Sequence, residues 1–164
     1  MLFTIVLLII LLLVLCFSFV LLKGAPYLPT LKKQIDAAFD IAGLKAGDTI
    51  IELGCGDGRV LVAAAKAGLN GVGYELNPIM YLICWFRLRP YRNQIKIIWG
   101  DFWSKDWPDA DAIYVFLLPR LMTKLEKVIL SRENAPKKLI SFAFEVPGRK
   151  PLMQKEGVFL YQLK

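Results

Sequence analysis

The chain of 164 residues contains no histidine. That removes the commonest general base of neutral-pH catalysis and every zinc site that needs an imidazole ligand. Cysteine is scarce: Cys16, Cys55 and Cys84 lie far apart and supply neither a four-thiolate metal site nor the paired spacing of a disulfide framework. No metal is expected. Acidic residues are the minority, 14 Asp and Glu against 21 Lys and Arg, for a formal net charge of +7. The stretch Met1 to Leu22 holds no charge of either sign, and beyond it there is no low-complexity segment and no internal repeat. The length allows one domain and leaves no room for a separate substrate domain.

What is there begins with that uncharged stretch. At 1.5 Å per residue its 22 residues make about 33 Å of helix, enough to span a bilayer. It lacks a basic leading segment, its apolar run exceeds that of a signal peptide, and Lys23-Gly-Ala-Pro26 is a poor cleavage site. An uncleaved transmembrane anchor over residues 1–22 is therefore predicted, with a linker and N-terminal helix over 23–43 and the folded domain over 44–164. Every lysine and arginine follows the span, with Lys23, Lys32 and Lys33 close behind it, which predicts a single-pass membrane protein with its domain on the cytoplasmic side. The positive charge is dispersed rather than gathered into a basic run interleaved with aromatics. The expected partner is thus the membrane lipid bilayer, and no nucleic acid is expected.

Residues 49–59, Thr-Ile-Ile-Glu-Leu-Gly-Cys-Gly-Asp-Gly-Arg, read as a short apolar strand running into a glycine-rich turn and then a helix. Gly54, Gly56 and Gly58 let the backbone bend sharply and let a ligand approach it. Glu52 sets a carboxylate beneath the turn, where it suits a cationic ligand and would repel a diphosphate. The spacing GxGxG also differs from the GxGxxG of dinucleotide-binding turns. Two more strand-like runs end on acids, Gly71 to Glu75 and Ile95 to Asp101, and Glu75 lies 21 residues beyond Gly54, the separation expected of a ribose-binding acid. In an open α/β sheet these acids converge beyond the carboxyl ends of the strands.

The segments Glu52 to Arg59, Tyr74-Glu-Leu-Asn-Pro78 and Gly100-Asp-Phe-Trp103 resemble the first three motifs of class I S-adenosylmethionine-dependent methyltransferases, over roughly residues 25 to 164. The resemblance implies S-adenosyl-L-methionine as cofactor. It implies Gly54, Gly56 and Gly58 under the methionine moiety, Glu75 on the ribose hydroxyls, Asp101 on the adenine amino group and Phe102 packing on adenine. Glu52, Cys55 and Leu76 complete the implied cofactor-binding set. A narrower resemblance, carried by Pro26-Tyr-Leu-Pro-Thr30, the turn Gly56 to Arg59 and Glu75-Leu-Asn-Pro78, is to small membrane-anchored protein-lysine methyltransferases related to the mitochondrial adenine nucleotide translocase lysine methyltransferases. It implies N-methylation of lysine in a membrane or membrane-proximal protein.

The remaining pattern predicts a doubly wound, Rossmann-like α/β sheet whose C-terminal part is shortened. Thr30 is the predicted N-cap of a helix that runs to about Ala42 and stops at Gly43. Helices are predicted over Gly58–Ala67, from near Asn77-Pro78, and over Arg120–Leu130. Strands are predicted over Thr49–Leu53, Gly71–Glu75, Gln94–Trp99, Ala112–Phe116, Lys138–Phe144 and Gly157–Gln162, with a sixth strand and its preceding helix reduced or missing. Ile79 to Phe86 is apolar round nearly the whole circumference and is followed by Arg87, Arg89 and Arg92, which suggests a second, interfacial membrane contact. After the fourth strand stands Phe116-Leu-Leu-Pro119, without the acid or amide that base-methylating enzymes commonly place there. Tyr27, Tyr114 and Glu145 are candidates for an acceptor channel, each equally readable as a packing or surface residue. Two alternatives stay open: a methyltransferase acting on a lipid or other membrane-dissolved molecule, and a noncatalytic cofactor-binding scaffold.

Overall fold

The computed structural model describes residues 1–23, 28–132 and 134–163. Helix α1 covers Leu2–Lys23. Counted over the described residues, no helix is long and apolar enough to cross a membrane. Helix α2, Lys32–Ala42, buries Ile35, Ala37, Ala38, Ile41 and Ala42 and ends on Gly43. Gly43 takes the left-handed conformation (φ 58°), and its N–H and that of Leu44 donate to the Asp40 and Phe39 carbonyls. Its N-cap is Leu31 rather than the predicted Thr30. Thr30 is committed elsewhere: it is buried, its hydroxyl lies 3.3 Å from that of Tyr114, and its carbonyl accepts from Arg59 Nη1.

Seven strands of the described residues form one sheet: β1 (Thr49–Leu53), β2 (Asn70–Glu75), β3 (Ile95–Trp99), β4 (Ala112–Val115), β5 (Lys138–Phe142), β6 (Met153–Lys155) and β7 (Val158–Gln162). Their order is β3-β2-β1-β4-β5-β7-β6. The first five run parallel, and β7 is antiparallel to both β5 and β6. Strands β1 and β4 are apolar almost throughout because helices cover both faces. On one face Ile50, Ala112, Tyr114 and Ile140 pack against α2 and helix α3 (Arg59–Lys66). On the other, Ile51, Leu53, Ile113 and Val115 pack against Met122, Leu125 and Ile129 of helix α5, Pro119–Leu130.

The sixth strand is present, three residues long, and joins β7 through Glu156 and Gly157. Both turn residues have positive φ, 53° and 72°, the pairing that suits a two-residue hairpin. Among the described residues no helix separates β5 from β6, so the predicted shortening falls on that helix. The connection is held instead by Val146, buried, whose N–H donates to the Tyr161 hydroxyl at 3.0 Å.

Helix α4, Pro78–Arg87, links β2 to β3. Asn77 caps it by accepting the N–H groups of Ile79 (2.9 Å) and Met80 (3.3 Å), and Pro78 opens the first turn. Only Met80 and Cys84 of its residues are buried.

Candidate active site

The turn after β1 is built by glycine conformations. Gly54, Gly56 and Gly58 have φ of 85°, 53° and 77°, values that side-chain-bearing residues rarely adopt. The chain folds back so that the N–H groups of Gly54 and Cys55 both donate to the Tyr74 carbonyl at 2.9 Å, tying the turn to β2. A Cβ on Gly58 would lie 2.6 Å from Cys84 Sγ, and one on Gly73 would lie 2.5 Å from Leu61 Cδ1 and 2.9 Å from Cys55 Sγ. These two glycines therefore let α4 and the turn settle against β2.

The acids of the first three strands converge as the sequence implies. Glu75, at the end of β2, is buried and accepts from Gly56 N–H at 2.7 Å and Asn77 N–H at 2.8 Å. Burial raises its pKa, opposed by its backbone hydrogen bonds to Asn77, Gly56 and Leu76. Leu76 also accepts Trp99 Nε1–H at 3.2 Å through its carbonyl. Asp101, just beyond β3, accepts Trp103 N–H at 3.0 Å and caps the short turn Phe102–Ser104. Phe102 stacks at a tilt on Trp103, ring centroids 4.5 Å apart, and its carbonyl accepts Trp107 Nε1–H at 3.0 Å. It is thus fixed beside Asp101.

Glu52 differs from the other two acids. It is buried within β1, and its Oε2 has no hydrogen-bond partner. Burial, then the neighbouring Cys84, Asp57 and Glu75, push its pKa well above the usual carboxylate range. A buried carboxylate oxygen left without a donor directly below a glycine turn suits a positively charged or hydrogen-bond-donating ligand. A pyrophosphate would meet repulsion there.

Asp57 is the residue whose role the sequence did not disclose. Its carboxylate receives Arg59 Nη2 at 2.9 Å and the guanidinium of Arg87 from α4, and its carbonyl accepts Arg87 Nη1 at 3.1 Å. Burial works to raise its pKa, but the hydrogen bonds and charges of the two arginines prevail and hold it down to about 2. Arg59 continues to the Thr30 carbonyl at 3.2 Å. The glycine turn, α4 and the segment before α2 are thereby joined. An acid between two glycines and followed by arginine was the available signal.

Cys55 and Cys84, unrelated in sequence spacing, are brought to 3.6 Å between sulfurs as free, buried thiols. The Cys55 side chain faces this apolar interior, so only its backbone is available to a ligand. Among the described residues no group of three or more Cys, Asp or Glu side chains is placed to hold a metal ion.

Of the predicted channel residues, Tyr27 lies outside the described residues and Glu145 is exposed in the β5–β6 connection. Tyr114 is buried in β4 with its hydroxyl toward Thr30, and burial raises its pKa further than the Thr30 hydrogen bond lowers it. The next residue on the same strand face is Phe116, half-buried at the rim of the sheet. Its ring lies 4.6 Å from that of Phe142 and 6.2 Å from that of Phe144. Between these two, Ala143 adopts φ 67°, and Ser141 Oγ donates to the Phe144 carbonyl at 2.5 Å. Sequence reading noticed Phe116 but not the two partners that β5 brings to it.

The strand order, the glycine turn and the three acids define an S-adenosylmethionine-dependent methyltransferase of class I. Similarity to known proteins narrows the class. The family model described as the ANTKMT methyltransferase domain matches residues 52–153, and the chain belongs to that family. The chain is 31% identical over 130 residues to an ATP synthase lysine N-methyltransferase of Homo sapiens, covering 77% of this chain and 54% of that protein. It is 28% identical over 130 residues to a protein-lysine N-methyltransferase of Saccharolobus islandicus, covering 77% of this chain and 81% of that one. The chain spans about half the length of the vertebrate relatives it matches. Among solved structures, the RNA methyltransferase of Salinibacter ruber in complex with S-adenosyl-L-homocysteine superposes with a TM-score of 0.76 at 25% identity, covering 83% of this chain and 94% of that one.

Proposed function

We propose that this chain is a protein-lysine N-methyltransferase that uses S-adenosylmethionine and is held at a membrane by α1. The observation that carries the cofactor reading is the buried, unpartnered Oε2 of Glu52 beneath the glycine turn. A sulfonium ligand with an ammonium group satisfies it, whereas a dinucleotide does not. When bound, the cofactor supplies a methyl group made electrophilic by a positively charged sulfur.

The protein's own residues bind, orient and exclude water. Glu52 balances positive charge at the turn. Glu75, with three backbone donors already on it, retains capacity for a ribose hydroxyl. Asp101 faces the base with Phe102 fixed beside it. On the acceptor side, Phe116 continues the row that holds Gly54 in β1, one strand spacing away, about 4.8 Å. The half-buried rings of Phe116, Phe142 and Phe144 disfavour an ammonium and favour the neutral amine that attack requires, its proton leaving to solvent.

Lysine as the acceptor is supported by the names of the relatives and by Phe116-Leu-Leu-Pro119, which offers no acid or amide to a nucleobase. The anchor reading is supported by 22 residues of helix without a charge before Lys23 and by the exposed Leu2, Phe3, Ile5, Leu8 and Leu11. The cytoplasmic placement of the domain is supported by Lys23, Lys32 and Lys33. The test is calorimetric titration of the full chain in lipid nanodiscs with S-adenosylhomocysteine, with NAD as the control ligand. Saturable binding of S-adenosylhomocysteine alone is expected; binding of NAD alone would overturn the cofactor assignment.

A further inference from the structure

A helix that crosses over one face of an open sheet ordinarily turns a polar side to water. Helix α4 does not. Leu82, Trp85 and Phe86 are 53, 42 and 59% exposed, and Trp99 on the edge strand β3 is 58% exposed beside them. The strip is continuous: Tyr81 and Trp99 have ring centroids 6.4 Å apart, Trp85 follows Tyr81 by one helical turn, and Trp85 meets Phe86 edge-on at 5.0 Å.

The charge around the strip has one sign. Residues 76–100 contain Arg87, Arg89, Arg92 and Lys96 and no acid. The Arg89 guanidinium lies 5.5 Å from the centre of the Trp85 ring, and Arg92 Nε donates to the Arg89 carbonyl at 3.3 Å. Exposed tryptophan and leucine bordered by arginine and lysine are the composition of a helix lying in the headgroup region of an anionic bilayer.

The strip is also tied to the segment that follows α1. Thr30 accepts Arg59, Arg59 pairs with Asp57, and Asp57 pairs with Arg87 of α4. Seven residues separate Lys23 from Thr30, a reach of about 25 Å at most when fully extended. A bilayer that holds α1 is therefore within reach of this face.

We propose that the α4–β3 face, Tyr81, Leu82, Trp85, Phe86 and Trp99 with Arg89, Arg92 and Lys96 at its border, rests on an anionic lipid surface and fixes the domain's orientation there. The inference rests on the reading of α1 as an anchor. It gives the chain two membrane attachments, one spanning and one peripheral.

The test uses the full chain in nanodiscs of anionic phospholipid brominated near the headgroup end of the acyl chains. Bromine quenches only tryptophan that enters the lipid. Trp107 is buried and Trp103 half-buried in the core on the α5 side of the sheet, so quenching should come from the exposed pair. Trp85→Phe with Trp99→Phe should remove most of the quenching, and Leu82→Asp with Phe86→Asp, both surface changes, should reduce it by about twofold or more. Unchanged quenching in these variants would overturn the proposal. So would tryptophan shielded from both brominated lipid and aqueous iodide, which would put a second copy or another protein on the face. A chain that does not enter the discs would remove the anchor and this inference with it. Binding of S-adenosylhomocysteine in the same discs reports separately on the proposed function.

Discussion

Arg87 Nη1 donates to both the carboxylate and the main-chain carbonyl of Asp57, thirty residues earlier in the chain. One side chain of α4 thus grips the glycine turn at two points, and the turn's ordering depends on a helix outside the motif that names the fold.

Asp57→Asn should destabilise the domain by about 2 kcal/mol at neutral pH, because an ionised Asp57 is what the two arginines stabilise. The folded pKa lies below the unfolded one, so this contribution is fully present above the unfolded value of 3.8 and is lost as pH falls toward about 2. Urea unfolding of both proteins across that range should show their difference closing as the acid limit is approached. A difference that stays constant down to the acid limit would assign the loss to packing instead.

Glu52→Gln should move stability and binding in opposite directions. The raised pKa of Glu52 means its ionised form is disfavoured in the ligand-free fold, at a cost to stability that grows as pH rises above the unfolded value. The amide should therefore raise the melting temperature of the ligand-free protein at neutral pH. It should also weaken S-adenosylmethionine binding by about tenfold or more, since an interaction with a charged group is worth roughly 1.5–3 kcal/mol. Wild-type binding should release protons, seen as a calorimetric enthalpy that varies with buffer, and the variant should lose that dependence.

Gly58→Ala should cost about 3 kcal/mol, part from placing a side chain at φ 77° and part from the contact with Cys84 Sγ. In a Cys84→Ala background the steric part should shrink, leaving nearer 1–2 kcal/mol of backbone strain. A double-mutant cycle in denaturant measures the coupling; a value of zero would mean that the turn does not press on α4.

Phe116→Ala should lower turnover of the amine acceptor by about tenfold to a hundredfold while leaving S-adenosylhomocysteine affinity unchanged. Equal losses in both would place Phe116 in the cofactor site rather than on the acceptor side.

Much of the cofactor half was legible because short-range pattern controls it. Glu52, Gly54, Gly56, Gly58, Glu75 and Asp101 each sit at the end of a strand whose apolar run is visible, and a parallel sheet brings strand ends together. The Asn77-Pro78 start of α4 was likewise a local signal. What stayed hidden depends on contacts across the fold. Thr30 looked like a cap until Tyr114 and Arg59 claimed it. Tyr114 read as a channel residue, yet strand alternation sends it under α2, and Phe116, two residues on, reaches the rim. Strand β6 has three exposed residues, too few to carry a period-two pattern. Cys55 and Cys84 meet only because α4 packs on the turn.

The most direct test of the proposed activity is the chemical identity of the methylated product. The full chain in nanodiscs would be incubated with methyl-tritiated S-adenosylmethionine and solubilised membrane proteins, then acid-hydrolysed protein and extracted lipid would be analysed separately. Label in methylated lysine, absent with Glu75→Ala, is the expected result. Label confined to lipid, or no transfer by a chain that binds S-adenosylhomocysteine, would contradict it.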